Sequence, residues 1–243
     1  MASERASQQA FLGVSALLFA ASAAVTTVCC ASMSAAIGEM QMPGGWTMSM
    51  AWMRMPGQTW LSAAASFMAM WIVMMVAMML PSLAMTLARY PLGRLTAGAG
   101  YFFVWTLIGA LAYAVGVMLA VAEMRWQALA RAVPIATGVV LLLAGCVQLT
   151  GWKARQLVRC RDGTACGRGA LRHGIRFGVQ CALCCISFTM ILLVTGVMNL
   201  SGMAIVAAAI TIERLAARPE QIARAVGVVI IAAGAFVIAR TVA

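Results

Sequence analysis

Long apolar runs separated by short polar segments make up most of the chain. A membrane-crossing helix needs about 20 apolar residues, and six runs reach roughly that length. A seventh run is only about ten residues long, so it forms a bent or re-entrant segment unless it extends back through Leu200. The pattern predicts an all-α, polytopic transmembrane helical bundle with six or seven spans. The runs lie at about 10–36, 61–80, 97–122, 132–150, 177–197, 203–212 and 222–238.

Proline, glycine and polar residues separate these runs. We expect Pro81 to stop the second span and the polar residues around Arg125 to form a short loop after the third. Residues 33–60 form a loop rich in Met, Gly, Pro and Trp, and residues 152–176 form a strongly basic loop. The first run is too long for the apolar part of a signal peptide and is interpreted as an uncleaved span. Residues 1–243 therefore form a single membrane domain.

The 17 Lys and Arg residues are distributed unevenly between the two predicted sides of the membrane. With seven spans and a cytoplasmic N-terminus, 13 of them lie on the inner side and four on the outer side. Basic loops stay in the cytoplasm during membrane insertion, so this orientation is the favoured one. The 33–60 loop then faces outward, and the 152–176 loop faces the cytoplasm.

Composition agrees with a membrane protein and removes one class of function. Hydrophobic residues make up 64% of the chain and charged residues 9%, against about 45–50% and 25% in soluble domains. A net charge of +11 would suggest nucleic-acid binding in a soluble protein. In a membrane protein, basic residues set the orientation of the chain and are attracted to anionic lipid headgroups. We therefore expect the lipid bilayer as a partner and no nucleic acid.

Few polar residues fall at membrane depth. The acidic residues, Glu213 among them, lie near the ends of spans or in loops, so no acidic proton relay is expected. Gln148 lies close to a span and is expected to form hydrogen bonds between helices. The single histidine, His173, excludes the multi-histidine zinc motifs.

Methionine is concentrated in two segments that offer soft sulfur. On the second span, Met74 and Met78 share one helix face, and Met75 and Met79 share the neighbouring face. Thioethers select Cu(I) over hard cations. Methionine also packs adaptably between helices or in the headgroup region, and the sequence leaves both readings open. The outer loop adds Met-x-Met pairs at 40/42, 48/50 and 53/55.

Cysteines gather near the predicted cytoplasmic start of the fifth span. Cys181, Cys184 and Cys185 have the i, i+3, i+4 spacing of one helix face, and Cys160 and Cys166 lie in the adjoining basic loop. Disulfides are not expected in this reducing compartment. Thiolates bind soft metals, whereas a buried cysteine can also be a small packing residue. No catalytic residue is predicted, and the candidate ligands for copper or zinc are Cys181, Cys184, Cys185, Cys160, Cys166, Met74, Met75, Met78 and Met79.

Several short motifs follow one another in a distinctive order. They include Met-Met-Val-Ala-Met-Met-Leu-Pro at 74–81 and Cys-Ala-Leu-Cys-Cys at 181–185, with further stretches at 145–153, 160–161, 174–180, 196–199 and 212–214. Together they resemble an uncharacterised bacterial family of integral membrane proteins with a predicted metal-binding role. The chain departs from that family in small ways, such as Arg214 in place of Lys. The resemblance implies the bacterial cytoplasmic (inner) membrane and the same Cys and Met positions, but no substrate or reaction.

These features favour a membrane protein that handles a soft metal, in particular Cu(I), without being an enzyme. It would accept the ion at the Met-rich outer loop and pass it to the cytoplasmic thiols or store it there. One alternative is a membrane thiol oxidoreductase that uses the adjacent Cys184 and Cys185 or a Cys160/Cys166 pair. Another is a non-catalytic subunit whose Gly- and Ala-rich helices pack against a membrane protein partner or a second copy of the chain.

Overall fold

Helices account for nearly all of the residues that the computed structural model describes, which are 2–37, 40–54, 57–87, 93–162, 169–197 and 199–242. The helices in these ranges are α1 (Ala2–Ile37), α2 (Trp60–Leu87), α3 (Arg94–Arg125), α4 (Gln127–Leu149), α5 (Gly151–Asp162), α6 (Ala170–Thr195), α7 (Leu200–Leu215) and α8 (Pro219–Val242). Six of them, all except α5 and α7, are long and apolar enough to cross a membrane. The predicted all-α, polytopic bundle is therefore confirmed.

Helices α3 and α6 run in parallel and touch through glycine. Gly174 lies against Ala97 and Gly178 lies against Tyr101, so residue numbers increase together along the two helices. A Cβ atom at Gly174 would collide with the carbonyl oxygen of Ala97. Small residues permit this close approach between apolar helices. The contact places the first half of α6 beside the first half of α3.

Helices α4 and α8 also pack through glycine, but in opposite directions. Gly145 lies against Gly227, and Gly138 lies against Gly234. Since α4 folds back along α3 after a break at Trp126, α8 has the same direction as α3 and α6. Helix α7 must therefore return the chain between α6 and α8. Its 16 residues extend only about 24 Å, so the short apolar run at 203–212 reverses the chain without the length of a full span.

Three boundaries differ from the sequence-based expectation. Helix α2 does not stop at Pro81 but continues to Leu87, since neighbouring groups in membrane proteins can satisfy the carbonyl that a proline frees. No loop follows α3, because only Trp126 separates it from α4. The basic segment expected as a loop at 152–176 is helical over α5 and again from Ala170 onward.

The Met-rich segment folds into a small hairpin at the end of the bundle opposite α5. Strands β1 (Met40–Met42) and β2 (Trp46–Met48) are antiparallel. Gly44 and Gly45 form the turn with φ values of 111° and 76°, which suit glycine. The indole nitrogen of Trp46 donates a hydrogen bond to the Ala130 carbonyl at 2.8 Å. This bond anchors the hairpin to the first turns of α4.

Candidate metal centre

The three clustered cysteines of α6 are all buried, but they face two different groups of neighbours. Cys181 and Cys185 belong to the main core, which also contains the methionines of α2. Cys184 lies in a smaller cluster with Cys160 of α5. The side chains of Cys184 and Cys185 still interact with each other. The structure therefore brings Cys181 and Cys185 together at the main core and places Cys184 at its edge.

A buried arginine caps the Cys181–Cys185 pair. Nη2 of Arg214 donates a hydrogen bond to Sγ of Cys181 at 2.7 Å and contacts Sγ of Cys185 at 3.5 Å. The Tyr101 hydroxyl lies 2.9 Å from Sγ of Cys181. Cys181 has no solvent-exposed surface, and Arg214 is also buried. A guanidinium and a phenol thus converge on one sulfur atom, an arrangement that stabilises negative charge there.

The methionines of α2 reach the level of this thiol pair. Trp71 donates a hydrogen bond to the Trp105 carbonyl at 2.9 Å, and the Phe67 and Tyr113 rings are 5.0 Å apart, so α2 and α3 are antiparallel. Two turns after Trp71, α2 has reached Met78 and Met79. Because the helices are antiparallel, the α3 residues beside these methionines lie about two turns before Trp105, close to Tyr101. Like Met74 and Met75, they are buried in the same core cluster as Cys181 and Cys185.

A buried ion pair lies beside the thiols. Nζ of Lys153 is 2.9 Å from Oε2 of Glu213, and the side chains are only 1% and 2% exposed. Lys153 also donates to the Cys184 carbonyl at 2.7 Å. Gln148 donates to Glu213 at 2.6 Å and accepts a hydrogen bond from Ser187 at 3.1 Å. The network joins α4, α5, α6 and α7.

The sequence predicts only one part of this network. The expected helix-to-helix bonding of Gln148 is confirmed. The sequence places Glu213 near the end of a span and Lys153 in the basic loop at 152–176, and it does not predict that both side chains are buried. The signal that could have found them is that both residues directly flank apolar runs, where an ionisable side chain usually has a partner.

Of the two candidate ligands that precede α6, the structure describes Cys160 but not Cys166. Cys160 is buried, contacts Cys184, and donates a hydrogen bond to the Gln180 carbonyl at 3.3 Å. Cys166 lies outside the described residues. Within the part of the chain that the structure describes, no group of three or more His, Cys, Asp or Glu side chains is placed to hold a metal ion. The ligands that are together are a thiol pair and thioethers.

A second group of sulfur atoms lies on the hairpin. Met40 is paired with Met48, and Met42 with Trp46, so these four side chains share one face of the two strands. Met42 and Met48 are buried against Ala120 and Ala130 of α3 and α4. Of the other loop methionines, Met53 packs against this cluster, and Met55 lies outside the described residues.

Comparison with protein families matches residues 68–237 to PpoB2, a copper chaperone family. The chain belongs to this family. The match confirms the expectation that the chain belongs to a metal-related family, and it supports a role in copper handling. It contains all nine candidate ligands together with Lys153, Glu213 and Arg214, whereas the hairpin precedes it. Comparison with curated proteins and with solved structures gave no match.

Proposed function

We propose that this protein is a membrane-embedded chaperone for Cu(I), which it holds between Cys181 and Cys185. The observation that carries the proposal is the position of these two thiols. They lie one helical turn apart, inside a buried cluster that contains four methionines of α2 and Met203 of α7, and a guanidinium contacts both sulfur atoms. Membership of a copper chaperone family agrees with this cargo.

The chemistry of the ligands favours Cu(I) over other metals. Thiolates and thioethers are soft donors, and they bind Cu(I) in preference to hard cations. Zinc prefers four ligands in its structural sites and takes them from thiolate, imidazole and carboxylate groups. Thioethers are not among these ligands, so a buried pair of thiols with one or two thioethers suits Cu(I) instead. Among the methionines of α2, Met78 and Met79 lie at the positions along the helix that correspond to Tyr101, which contacts Cys181. We therefore propose them as the additional ligands.

The position of the Met-rich hairpin supports a route for the ion. In the proposed orientation, the N-terminus is cytoplasmic in a bacterial inner membrane, and the hairpin lies on the outer side. Three methionines share one hairpin face, and thioethers remain ligands where thiols would be oxidised. The ion would enter here and leave near the basic helix α5. Delivery requires a partner protein or a second copy of the chain close to that end.

Copper binding by detergent-purified protein tests the proposal. We expect about one tightly bound Cu(I) per chain under anaerobic, reducing conditions, measured by competition with a chromophoric Cu(I) chelator. A Cys181→Ser/Cys185→Ser variant should lose this binding. Cys146→Ser is the matched control, because Cys146 is an exposed cysteine on α4. Copper at background level in the wild type, or unchanged affinity in the double variant, would exclude the proposed site.

A thiol oxidoreductase is the second candidate, favoured by the contact between Cys160 and Cys184. These two thiols could reduce a disulfide of a partner protein: one thiolate would attack it to form a mixed disulfide and release one partner thiol, and the other thiol would then form the Cys160–Cys184 disulfide and release the second. Trapping of mixed disulfides in Cys160→Ser protein, followed by mass spectrometry, separates the two functions. Copper binding that survives this substitution, with no trapped partner, favours the chaperone.

A further inference from the structure

We propose that Arg214 makes the thiol pair selective for a monovalent metal ion. This inference rests on the proposed function, because it assumes that Cys181 and Cys185 hold the cargo. It goes beyond that function by assigning selectivity to a residue that is not a ligand. The assignment follows from the fixed positive charge that contacts both sulfur atoms.

The guanidinium is held in place by the network around its helix. Glu213, the residue before Arg214, forms the ion pair with Lys153 at 2.9 Å and accepts a hydrogen bond from Gln148 at 2.6 Å. These contacts tie the last turn of α7 to α4 and α5. Arg214 is consequently directed at the thiols from a helix end that cannot move without breaking a buried ion pair. Arginine also keeps its charge in proteins.

Charge balance decides which ion the site accepts. Two thiolates carry two negative charges, and Arg214 supplies one positive charge. A monovalent ion such as Cu(I) makes this group neutral, whereas a divalent ion such as Zn(II) leaves one positive charge uncompensated. An uncompensated charge in a buried, apolar environment is strongly unfavourable.

Within the described part of the chain, Tyr101, the methionines of α2 and the Lys153–Glu213 pair leave this balance unchanged. Tyr101 contributes a neutral hydroxyl, and the methionine thioethers of α2 carry no charge. The charges of Lys153 and Glu213 cancel within their own ion pair. Soft sulfur ligands favour Cu(I) over Zn(II) in any such site, and they would still do so if the charge of Arg214 were removed. Charge selectivity is therefore a separate property that depends on Arg214.

The test compares Cu(I) and Zn(II) affinities, each measured by competition with a chromophoric chelator, in full-length protein in detergent. Arg214→Gln keeps a hydrogen-bond donor but removes the charge. We expect the ratio of Cu(I) to Zn(II) affinity to fall by about tenfold or more. Arg214→Lys keeps the charge, so the ratio should stay close to that of the wild type. Tyr101→Phe should weaken both ions in the same proportion, and Arg125→Gln, at an exposed position, should change neither.

Three results would overturn the inference. The first is an equal loss of Cu(I) and Zn(II) affinity in Arg214→Gln, which would give the arginine a purely structural role. The second is that neither affinity changes in that variant. The third is a shift toward Zn(II) in Arg214→Lys, which can be scored even if Arg214→Gln does not fold. A wild-type protein that binds no Cu(I) refutes the proposed function instead, so the two failures are distinguishable.

Discussion

Replacing Lys153 by methionine should destabilise the folded protein by about 3–5 kcal/mol, because it leaves a buried carboxylate without its cation. The size follows from the environment of the pair. Both side chains are at least 98% buried and their charged atoms are 2.9 Å apart. An exposed ion pair would contribute only about 0–1 kcal/mol. After the substitution, Glu213 would keep the hydrogen bond from Gln148 but no longer have the charge of Lys153.

The double variant Lys153→Met/Glu213→Gln provides the decisive comparison. It removes both charges, so it should recover much of the stability lost in Lys153→Met. The free energy of unfolding can be measured by tryptophan fluorescence during denaturant titration in detergent micelles. Arg125→Met, at an exposed position, is the matched control and should change stability by less than about 1 kcal/mol. A loss below about 1 kcal/mol in Lys153→Met, or no recovery in the double variant, would refute the reasoning.

Three further predictions concern packing, ligation and topology. Gly174→Ala should destabilise the contact between α3 and α6, detected as a lower midpoint of thermal unfolding, whereas Gly13→Ala, which meets no atom within 4 Å, should not. Met78→Leu should preserve the fold and lower Cu(I) affinity in chelator competition, while Met118→Leu, at a residue that is 73% exposed, should leave affinity unchanged. A reporter fused after Lys153 should behave as cytoplasmic, and one fused in the hairpin as external; swapped signals would contradict the proposed orientation.

The spans could be predicted because apolar runs of sufficient length are a local property of the sequence. Their ends were less accurate. A rule that proline stops a helix was wrong at Pro81, since that rule describes helices in water and not those packed in a bundle. The hairpin was also missed. Its Gly44–Gly45 turn is a recognisable signal, but strands of three residues are too short to produce a clear alternating pattern.

The partners of the thiols depend on how distant helices are arranged, which periodicity does not reveal. Arg214 is 33 residues from Cys181, and Tyr101 is 80 residues away. Their meeting requires that α7 reverse direction after α6 and that α3 and α6 be parallel. The sequence contained one relevant signal, the glycines at 174 and 178 that permit the second of these contacts. The reversal by α7 depended on the short apolar run at 203–212, whose path the sequence left open.

The spacing of the cysteines explains why only two of them face the main core. Successive residues of an α-helix are rotated by about 100°, so Cys185 is displaced from Cys181 by only about 40°. Cys184 is displaced by about 60° from Cys181 in the opposite direction, and so by about 100° from Cys185. That rotation turns Cys184 toward Cys160 on α5. The three thiols at i, i+3 and i+4 therefore span about 100° of the helix surface, whereas the i, i+4 pair spans only about 40°, which is why we propose that pair as the copper ligands.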